Sequence, residues 1–444
     1  MGRSRSARRS PETAGISGLT HDGQGIAYVT GKKVFVAGAL AGETVRFQRR
    51  KKRKNFDSAE LLEVLEPSAE RIEPHCEAYS RCGGCSLQHV SAEAQRQIKH
   101  QSLVDSLQRI GKVEPEQWLS PLHENENWHY RRRARLAVKD VPGKGRVLVG
   151  FRERHAPFIA DMHRCEVLGQ PIAGMLDELS RLVGALSIRA RLPQIEVAIA
   201  DNATELVFRV LDEPSSTDVE TLTEFAKRHG LRIALQAGGL DSITPLWPPE
   251  PLPMLNYELP AFSLRLEFSA SDFVQVNAAV NRRMVSRAVE LLELDSSHAV
   301  LDLYCGIGNF SLALARHAGS VVGVEGLVPQ VERARSNATL NGLTNASFHC
   351  ADLATFSGEE SWVGQGYDRL VLDPARSGAL EVVQNVERVG ASRILYVSCH
   401  PGTLARDSAV LVSEQGYRLK AAGIIDMFPH TAHVESIAVF DKNR

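Results

Sequence analysis

From Val285 to the C-terminus, short apolar runs alternate with stretches of helix length, and this regularity restricts the chain more than any other feature. Residues 299–303, 320–325, 347–350, 369–373, 394–398, 419–426 and 434–440 are the predicted strands, and helices can be placed between most of them. Such alternation buries helices against both faces of a mostly parallel sheet. It predicts a doubly wound α/β domain over residues 281–444, with ligands beyond the carboxyl ends of the strands.

The chain upstream has a different texture, and 444 residues are too many for one ordinary domain. Residues 1–12 are basic with Ser, Pro and Gly and read as a disordered arm. Over residues 13–68, strands at 26–30, 33–37, 43–49 and 58–64 are separated by turns at Gly23, Gly25, Gly31 and Gly42, which predicts a small β-barrel. Residues 69–280 form a central α+β segment: a cysteine-rich stretch at 74–90, an amphipathic helix over 92–110, then alternating strands such as 133–138 and 195–200.

Charge is distributed unevenly. Residues 1–54 hold thirteen Lys or Arg against three Asp or Glu, although the whole chain carries a formal net charge of -1. A basic module on a more acidic body predicts a polyanionic partner. The run Arg49, Arg50, Lys51, Lys52, Arg53, Lys54 is the candidate phosphate contact, with a solvated hairpin tip as its bland reading; Arg131, Arg132, Arg133 and Arg135 are weaker candidates. No apolar run is long enough to span a membrane, and no apolar stretch follows the Arg-rich start, so neither a span nor a secretory signal is expected. Seven clustered cysteines, an odd number, argue for metal or catalytic roles in a cytoplasmic protein rather than a disulfide framework.

The first strand of the α/β segment runs into Asp302-Leu303-Tyr304-Cys305-Gly306-Ile307-Gly308-Asn309-Phe310. Two glycines allow a tight turn and close approach of a ligand, but Ser311 stands where a dinucleotide fingerprint has its third glycine. Glu325 ends the second strand, suited to a ribose diol, and Asp352 follows the third, suited to an adenine amino group. Together these features favour S-adenosylmethionine over a nicotinamide cofactor.

Two further loops end predicted strands: Asp373-Pro374-Ala375-Arg376 and Ser398-Cys399-His400-Pro401, while His433-Val434-Glu435 leads into the last strand. Carbon 5 of uracil is a poor nucleophile until a thiolate adds at carbon 6. The reaction needs an ionisable thiol, a group at the carbonyl side of the ring and a carboxylate that removes the carbon 5 proton. Cys399, Asp373 and Glu435 have those chemistries, Arg376 is a candidate for positioning the ring or a phosphate, and His433 is a second candidate for the base. A buried structural thiol is the competing reading of Cys399. Cys305 and Cys350 read as packing residues beside the cofactor motifs.

The string 302–310, the Asp-Pro-Ala-Arg loop, Ser398-Cys399 and His433-Val434-Glu435 resemble the RNA uracil-5-methyltransferase family, over nearly the whole chain and most closely its 23S ribosomal RNA branch. The resemblance implies an OB-like TRAM barrel that binds RNA and a class I methyltransferase domain. It implies cofactor contacts from Gln275, Tyr304, Asn309, Glu325, Asp352 and Asp373. It also implies a covalent Cys399–uracil intermediate with Glu435 as base, and a 23S rRNA partner. No obligatory protein partner is inferred and a monomer is expected. His400 stands where the family often has Asn, and Tyr304 where Phe also occurs. The rivals are a tRNA uracil-5-methyltransferase, disfavoured by the barrel and cysteines together, and a cytosine-5 methyltransferase, disfavoured by the cysteine-free Asp-Pro loop. A non-catalytic RNA-binding or ribosome-assembly factor is a third.

Cys76, Cys82 and Cys85 form C-x5-C-x2-C with Gly83-Gly84 between the last two, and remote Cys165 is the natural fourth ligand. Spacing alone allows zinc, with His75 or His163 as substitutes, or an iron–sulfur centre. The family resemblance implies a [4Fe–4S] cluster.

Overall fold

The computed structural model describes residues 10–154, 156–249 and 253–443. Residues 1–9, most of the expected disordered arm, lie outside these. Glu12, also assigned to the arm, instead begins a strand.

Five strands close into a barrel in the order β1-β2-β3-β5-β4: β1 (Glu12–Leu19), β2 (Gly25–Val29), β3 (Lys32–Ala37), β4 (Thr44–Lys52) and β5 (Phe56–Glu66). Alternation sends Ile16, Ala27, Val34, Val36, Val45, Phe47 and Ala59 inward to form its core. The basic run is not one uniform surface. Arg49 is nearly buried, paired with Glu12 and Asp57 at 2.7 Å each, so it closes the β1–β4–β5 seam. Arg50 pairs with Glu60, and residues 51–54 form the exposed remainder. Buried Glu43 ties the barrel to the next segment by binding Arg71 and the N–H of Leu40, contacts that hold its carboxylate below the usual range against the cost of burial.

Helix α1 (Ala92–Ser106), capped by Ser91 and continued by a wider turn over Leu107–Gly111, leads to the two-residue strand β6 (Gln117–Trp118). A central six-stranded sheet follows, ordered β12-β11-β10-β9-β7-β8. Its strands are β7 (Arg133–Val141), β8 (Arg146–Gly150), β9 (Gln194–Ile199), β10 (Thr204–Arg209), β11 (Arg232–Gln236) and β12 (Ile243–Trp247). Helices α2 (Leu176–Ala185) and α3 (Ser216–His229) pack on it through Leu179, Leu182, Leu222 and Phe225. The four arginines near its first strand are held internally: Arg131 donates to the Arg133 carbonyl, Arg133 to the Ala270 carbonyl, Arg132 pairs with Asp201 and Arg135 with Glu196.

The hairpin β13 (Leu255–Leu259) and β14 (Leu264–Phe268) and helix α4 (Ala278–Leu292) precede the C-terminal sheet. That sheet comprises β15 (Ala299–Leu303), β16 (Ser320–Glu325), β17 (Ala346–Cys350), β18 (Arg369–Leu372), β19 (Arg393–Ser398), β20 (Tyr417–Ile425) and β21 (Glu435–Lys442). Helices α5 (Ser311–Ala315), α6 (Val328–Leu340), α7 (Leu380–Gln384) and α8 (Pro401–Ser413) connect its strands. The order is β17-β16-β15-β18-β19-β21-β20-β6, with β21 antiparallel to both neighbours.

The C-terminal unit therefore recruits residues from before position 281, where the change in texture had suggested its start. Strand β6 pairs with β20 at the sheet edge, where a Cβ on Gly423 would lie 2.7 Å from Leu119 Cβ, so the two backbones can approach only because residue 423 is glycine. Leu103 and Leu107 join one face of the sheet, and the β13–β14 hairpin packs on the other with Met284, Ala288 and Phe348.

Candidate active site

Register lines up the predicted site. Leu303 sits beside Val324 on one side and Leu372 on the other, and Leu372 beside Tyr396. The chain thus leaves the sheet at one edge with Glu325, Tyr304 and Asp373 in a row. Farther along, the last β19–β21 rung is Ser398 opposite Ser436, so Cys399 and Glu435 emerge beside each other from the two strands.

The turn after β15 is left-handed at Tyr304 (φ 65°), Gly306 (φ 54°) and Gly308 (φ 95°). Such φ values are strained for a tyrosine, and strain of this kind concentrates at functional sites. A Cβ on Gly306 would meet only Gln330 Oε1, at 3.7 Å, so the turn faces open space. That space is a cavity of about 540 Å³. Gln275, Tyr304, Asn309, Glu325, Asp373, Cys399 and Glu435 all line it. Of the predicted cofactor residues, Asp352 alone is not brought there: it is exposed, and its carboxylate accepts the Ala354 N–H at 3.0 Å.

Several supporting residues lack a signal in the linear pattern. Asn309 forms a reciprocal amide pair with Asn281 of α4, 3.0 Å each way, and accepts the Tyr257 hydroxyl of β13 at 2.9 Å. Glu325 accepts N–H groups from Gly306 (3.2 Å), Gly326 (2.8 Å) and Leu327 (3.2 Å). Ser311, which had read only as a missing glycine, donates its hydroxyl to fully buried Asp302. The other Asp302 oxygen has no partner among the described residues, and burial pushes this carboxyl up to about 7.

The reactive groups sit in a poorly solvated, carboxylate-rich corner. Burial, then the nearby Asp302, pushes Asp373 up to about 7; burial and Asp373 push Glu435 well above the usual carboxylate range. Burial, then Glu435 and Asp373, pushes the Cys399 thiol up to about 11, with Arg376 opposing. Burial and Arg376 hold His433 down, so it stays neutral. Of the two remaining cysteines, Cys305 is buried in the core as expected, whereas Cys350 is exposed rather than packed.

Cys399, Arg376 and His433 also line a second groove of about 600 Å³. Its other walls are His21 and Asp22 from the barrel, Gly83–Ser86 from the cysteine loop, Ser102 and Ser106 from α1, and His400. His400 caps α8: its Nδ1 accepts the Thr403 N–H at 3.2 Å, the task an Asn would perform at that position.

Cys76, Cys82, Cys85 and Cys165 come together around one small cavity with Gly84, Phe151 and Met162. Burial pushes Cys85 up to about 12 and Cys165 to about 11, with the other thiols adding to the effect. The Gly84 N–H donates to Cys82 Sγ at 3.3 Å, and a Cβ on Gly83 would lie 3.1 Å from the Arg152 carbonyl. His75 and His163 do not line this cavity, and His163 binds Asp177 instead. Among the described residues no group of three or more His, Cys, Asp or Glu side chains is placed to hold a metal ion.

The tRNA (uracil-5-)-methyltransferase family matches residues 91–361 and 363–443. The chain belongs to this family. The TRAM domain matches residues 6–56, within the basic barrel region. The chain is 49% identical over 440 residues to a protein of Alkalilimnicola ehrlichii named 23S rRNA (uracil(1939)-C(5))-methyltransferase RlmD, covering 99% of this chain and 98% of that one. It is likewise 49% identical to the protein of the same name from Nitrosococcus oceani, covering 98% and 97%. Among solved structures, the Pyrococcus abyssi tRNA (uracil-54, C5)-methyltransferase in complex with S-adenosyl-L-homocysteine aligns with a TM-score of 0.75 at 23% identity, over 96% of this chain and 99% of that one. Fold and family are thereby established, including a methyltransferase architecture across nearly the whole chain.

Proposed function

We propose that this protein methylates carbon 5 of a uridine in 23S rRNA, using S-adenosylmethionine and a transient bond between Cys399 and carbon 6 of the base. One observation carries the reading: Cys399 lies on the wall shared by two spaces, the cavity holding the cofactor-motif residues and the groove reaching the barrel and cysteine loop. A nucleophile there meets an activated methyl donor from one side and a flipped-out base from the other.

When bound, S-adenosylmethionine supplies an electrophilic methyl group. Gln275, Tyr304, Asn309, Glu325 and Asp373 are the residues proposed to hold it, with Glu325 facing the ribose hydroxyls. Cys399 Sγ adds as thiolate to carbon 6 of the uracil, and the displaced electron pair moves onto the carbonyl oxygen at carbon 4. Asp373, populated as the neutral acid up to about pH 7, donates a hydrogen bond at the carbonyl side of the ring. Carbon 5 takes the methyl group. Glu435, a stronger base for its burial once ionised, removes the carbon 5 proton, and the C6–S bond breaks as the double bond re-forms. Neutral His433 remains a neighbour rather than the base in this reading.

The choice of 23S rRNA over tRNA rests on the full-length similarity to proteins named for that substrate. Architecture does not separate the two, because an enzyme described as acting on tRNA aligns with 96% of this chain, barrel and cysteine region included. The deciding experiment is deletion of the gene followed by mass-spectrometric mapping of 5-methyluridine in 23S rRNA and tRNA. Loss of one 23S mark with the tRNA marks intact supports the assignment, and the reverse overturns it.

For the cysteine quartet we propose a [4Fe–4S] cluster held by Cys76, Cys82, Cys85 and Cys165. Four thiols around one small cavity can supply the four ligands of a cluster or of a zinc ion, and the family resemblance favours the cluster. Its contribution there is a cross-link between the cysteine loop and the central domain, since methyl transfer requires no electron.

A further inference from the structure

His430 stands five residues before Glu435, buried and left-handed at φ 65°. Its carbonyl accepts the N–H groups of both Ser86 and Leu87, at 2.9 Å each. Ser86 also accepts, through its hydroxyl oxygen, the N–H of Ala432 at 2.9 Å, while its own carbonyl receives the Tyr79 hydroxyl at 2.7 Å. Ser86 is the residue after Cys85, so the turn around the thiols is stitched directly to the backbone that delivers the proposed base.

The opposite side of that segment is also held. Gln95 of α1 accepts the His430 N–H at 2.8 Å. Buried Lys99 pairs with Asp426 at 2.6 Å and donates to the Phe428 carbonyl at 2.8 Å, and the Tyr130 hydroxyl donates to the Pro429 carbonyl at 3.0 Å. The connection from β20 to β21 is thus fixed from Asp426 to Ala432 by α1, Tyr130 and the cysteine loop. Among the described residues the loop holds this connection at His430 and Ala432, while the Thr431 hydroxyl donates to the Phe428 carbonyl and accepts the His433 N–H.

We infer that Ser86 is a positioning residue for the base: its hydroxyl and N–H set the backbone from which the Glu435 carboxylate reaches the carbon 5 proton. This rests on Glu435 acting as that base and assigns the cysteine loop a part in one chemical step rather than in overall folding. Ser86 does not line the methyl-donor cavity, although it forms part of the wall of the second groove; its hold on the proposed base passes through the main chain of residues 430–432.

The test uses the full chain with its metal centre intact and compares Ser86→Ala, which removes the acceptor, with Ser86→Thr, which retains it. Amide hydrogen exchange over residues 430–435 should speed up in Ser86→Ala on the order of tenfold, as loss of one buried hydrogen bond allows, and stay at the parent rate in Ser86→Thr. Unchanged exchange in Ser86→Ala overturns the inference. On RNA tritiated at carbon 5, tritium release should fall on the order of tenfold in Ser86→Ala. On saturating RNA carrying 5-fluorouridine, whose fluorine no base can abstract, trapping of the Cys399 adduct should continue at the parent rate, so that a change in RNA affinity at the groove wall does not enter the comparison. An equal fall in both assays also overturns the inference, because a general loss of structure slows every step. If the parent protein neither releases tritium nor traps an adduct, the methyltransferase reading fails, and the exchange comparison still decides the loop's grip on residues 430–435.

Discussion

Cys399 and Glu435 flank the same rung of the catalytic sheet: one follows Ser398, the other precedes Ser436, and those serines are paired across β19 and β21. The antiparallel turn of β21 brings together residues 36 positions apart in sequence. In the proposed reaction this lets the thiol that forms a bond and the carboxylate that breaks one work on neighbouring atoms of one ring.

Their separate roles predict different failures. Cys399→Ala should reduce methyl transfer on the order of 10³-fold or more while leaving RNA affinity within a few-fold, since it removes the group that opens the reaction. Glu435→Gln should leave addition possible but stop release, so a protein–RNA adduct should persist on a denaturing gel. Absence of the adduct, with activity equally lost, would assign the base elsewhere, His433 first.

Burial, and then the carboxylates around Cys399, disfavour its thiolate, so alkylation by iodoacetamide should be slow at pH 7 and rise about tenfold per pH unit toward the thiol's value of about 11. Above pH 7, where Asp373 is ionised, Asp373→Asn removes one of those charges and should speed alkylation at fixed pH. A slower reaction in that variant would contradict the electrostatic account.

Asp373 also links stability to pH. Its folded value, about 7, lies above the ordinary 3.8, so the folded state holds a proton that the unfolded chain has lost between those limits. Its contribution is complete below pH 4, falls as pH rises and is gone above 7. Asp373→Asn should therefore raise the melting temperature relative to the parent more at pH 8 than at pH 5, as read by calorimetry.

The cysteine quartet has a direct chemical readout. Anaerobically purified protein should be brown, with broad absorbance near roughly 400 nm and about four irons per chain, and Cys165→Ser should bleach it. One zinc and no iron would replace the cluster with a single ion.

In the barrel, neighbouring cations should behave oppositely. Arg49→Ala leaves Glu12 without its partner and buried Asp57 with Lys32 alone, and should cost about 3 kcal/mol of stability. Lys51→Ala and Lys52→Ala should leave stability alone and weaken RNA binding, each reducing the salt slope by about one if it contacts a phosphate. Urea unfolding and salt-dependent binding titrations separate the two classes.

The doubly wound sheet was legible because its strands are apolar runs ending in chemically distinctive residues; Tyr304, Asp373 and Cys399 all follow such runs. Strand β1 was hidden because small residues and two glycines leave it little apolar alternation, with Ile16 its one buried side chain, and Arg49 read as surface because its partners, Glu12 and Asp57, lie outside the run. Asn281 and Tyr257 carry no local signal: their bonds to Asn309 arise only when α4 and the β13–β14 hairpin fold against the sheet. Asp352 failed for the converse reason. It follows the third strand as expected, but its carboxylate turns back to cap the short helix after it.

The placement of β6 has a consequence for the making of the protein. This edge strand and α1 are translated well before β20, the strand against which β6 is zipped. During synthesis, the apolar side of that helix must wait, uncovered, while almost all the remaining chain emerges. Completion of the catalytic sheet is therefore a late event on the ribosome, and shortening the C-terminus should trap nascent chains with an early helix in search of its seat.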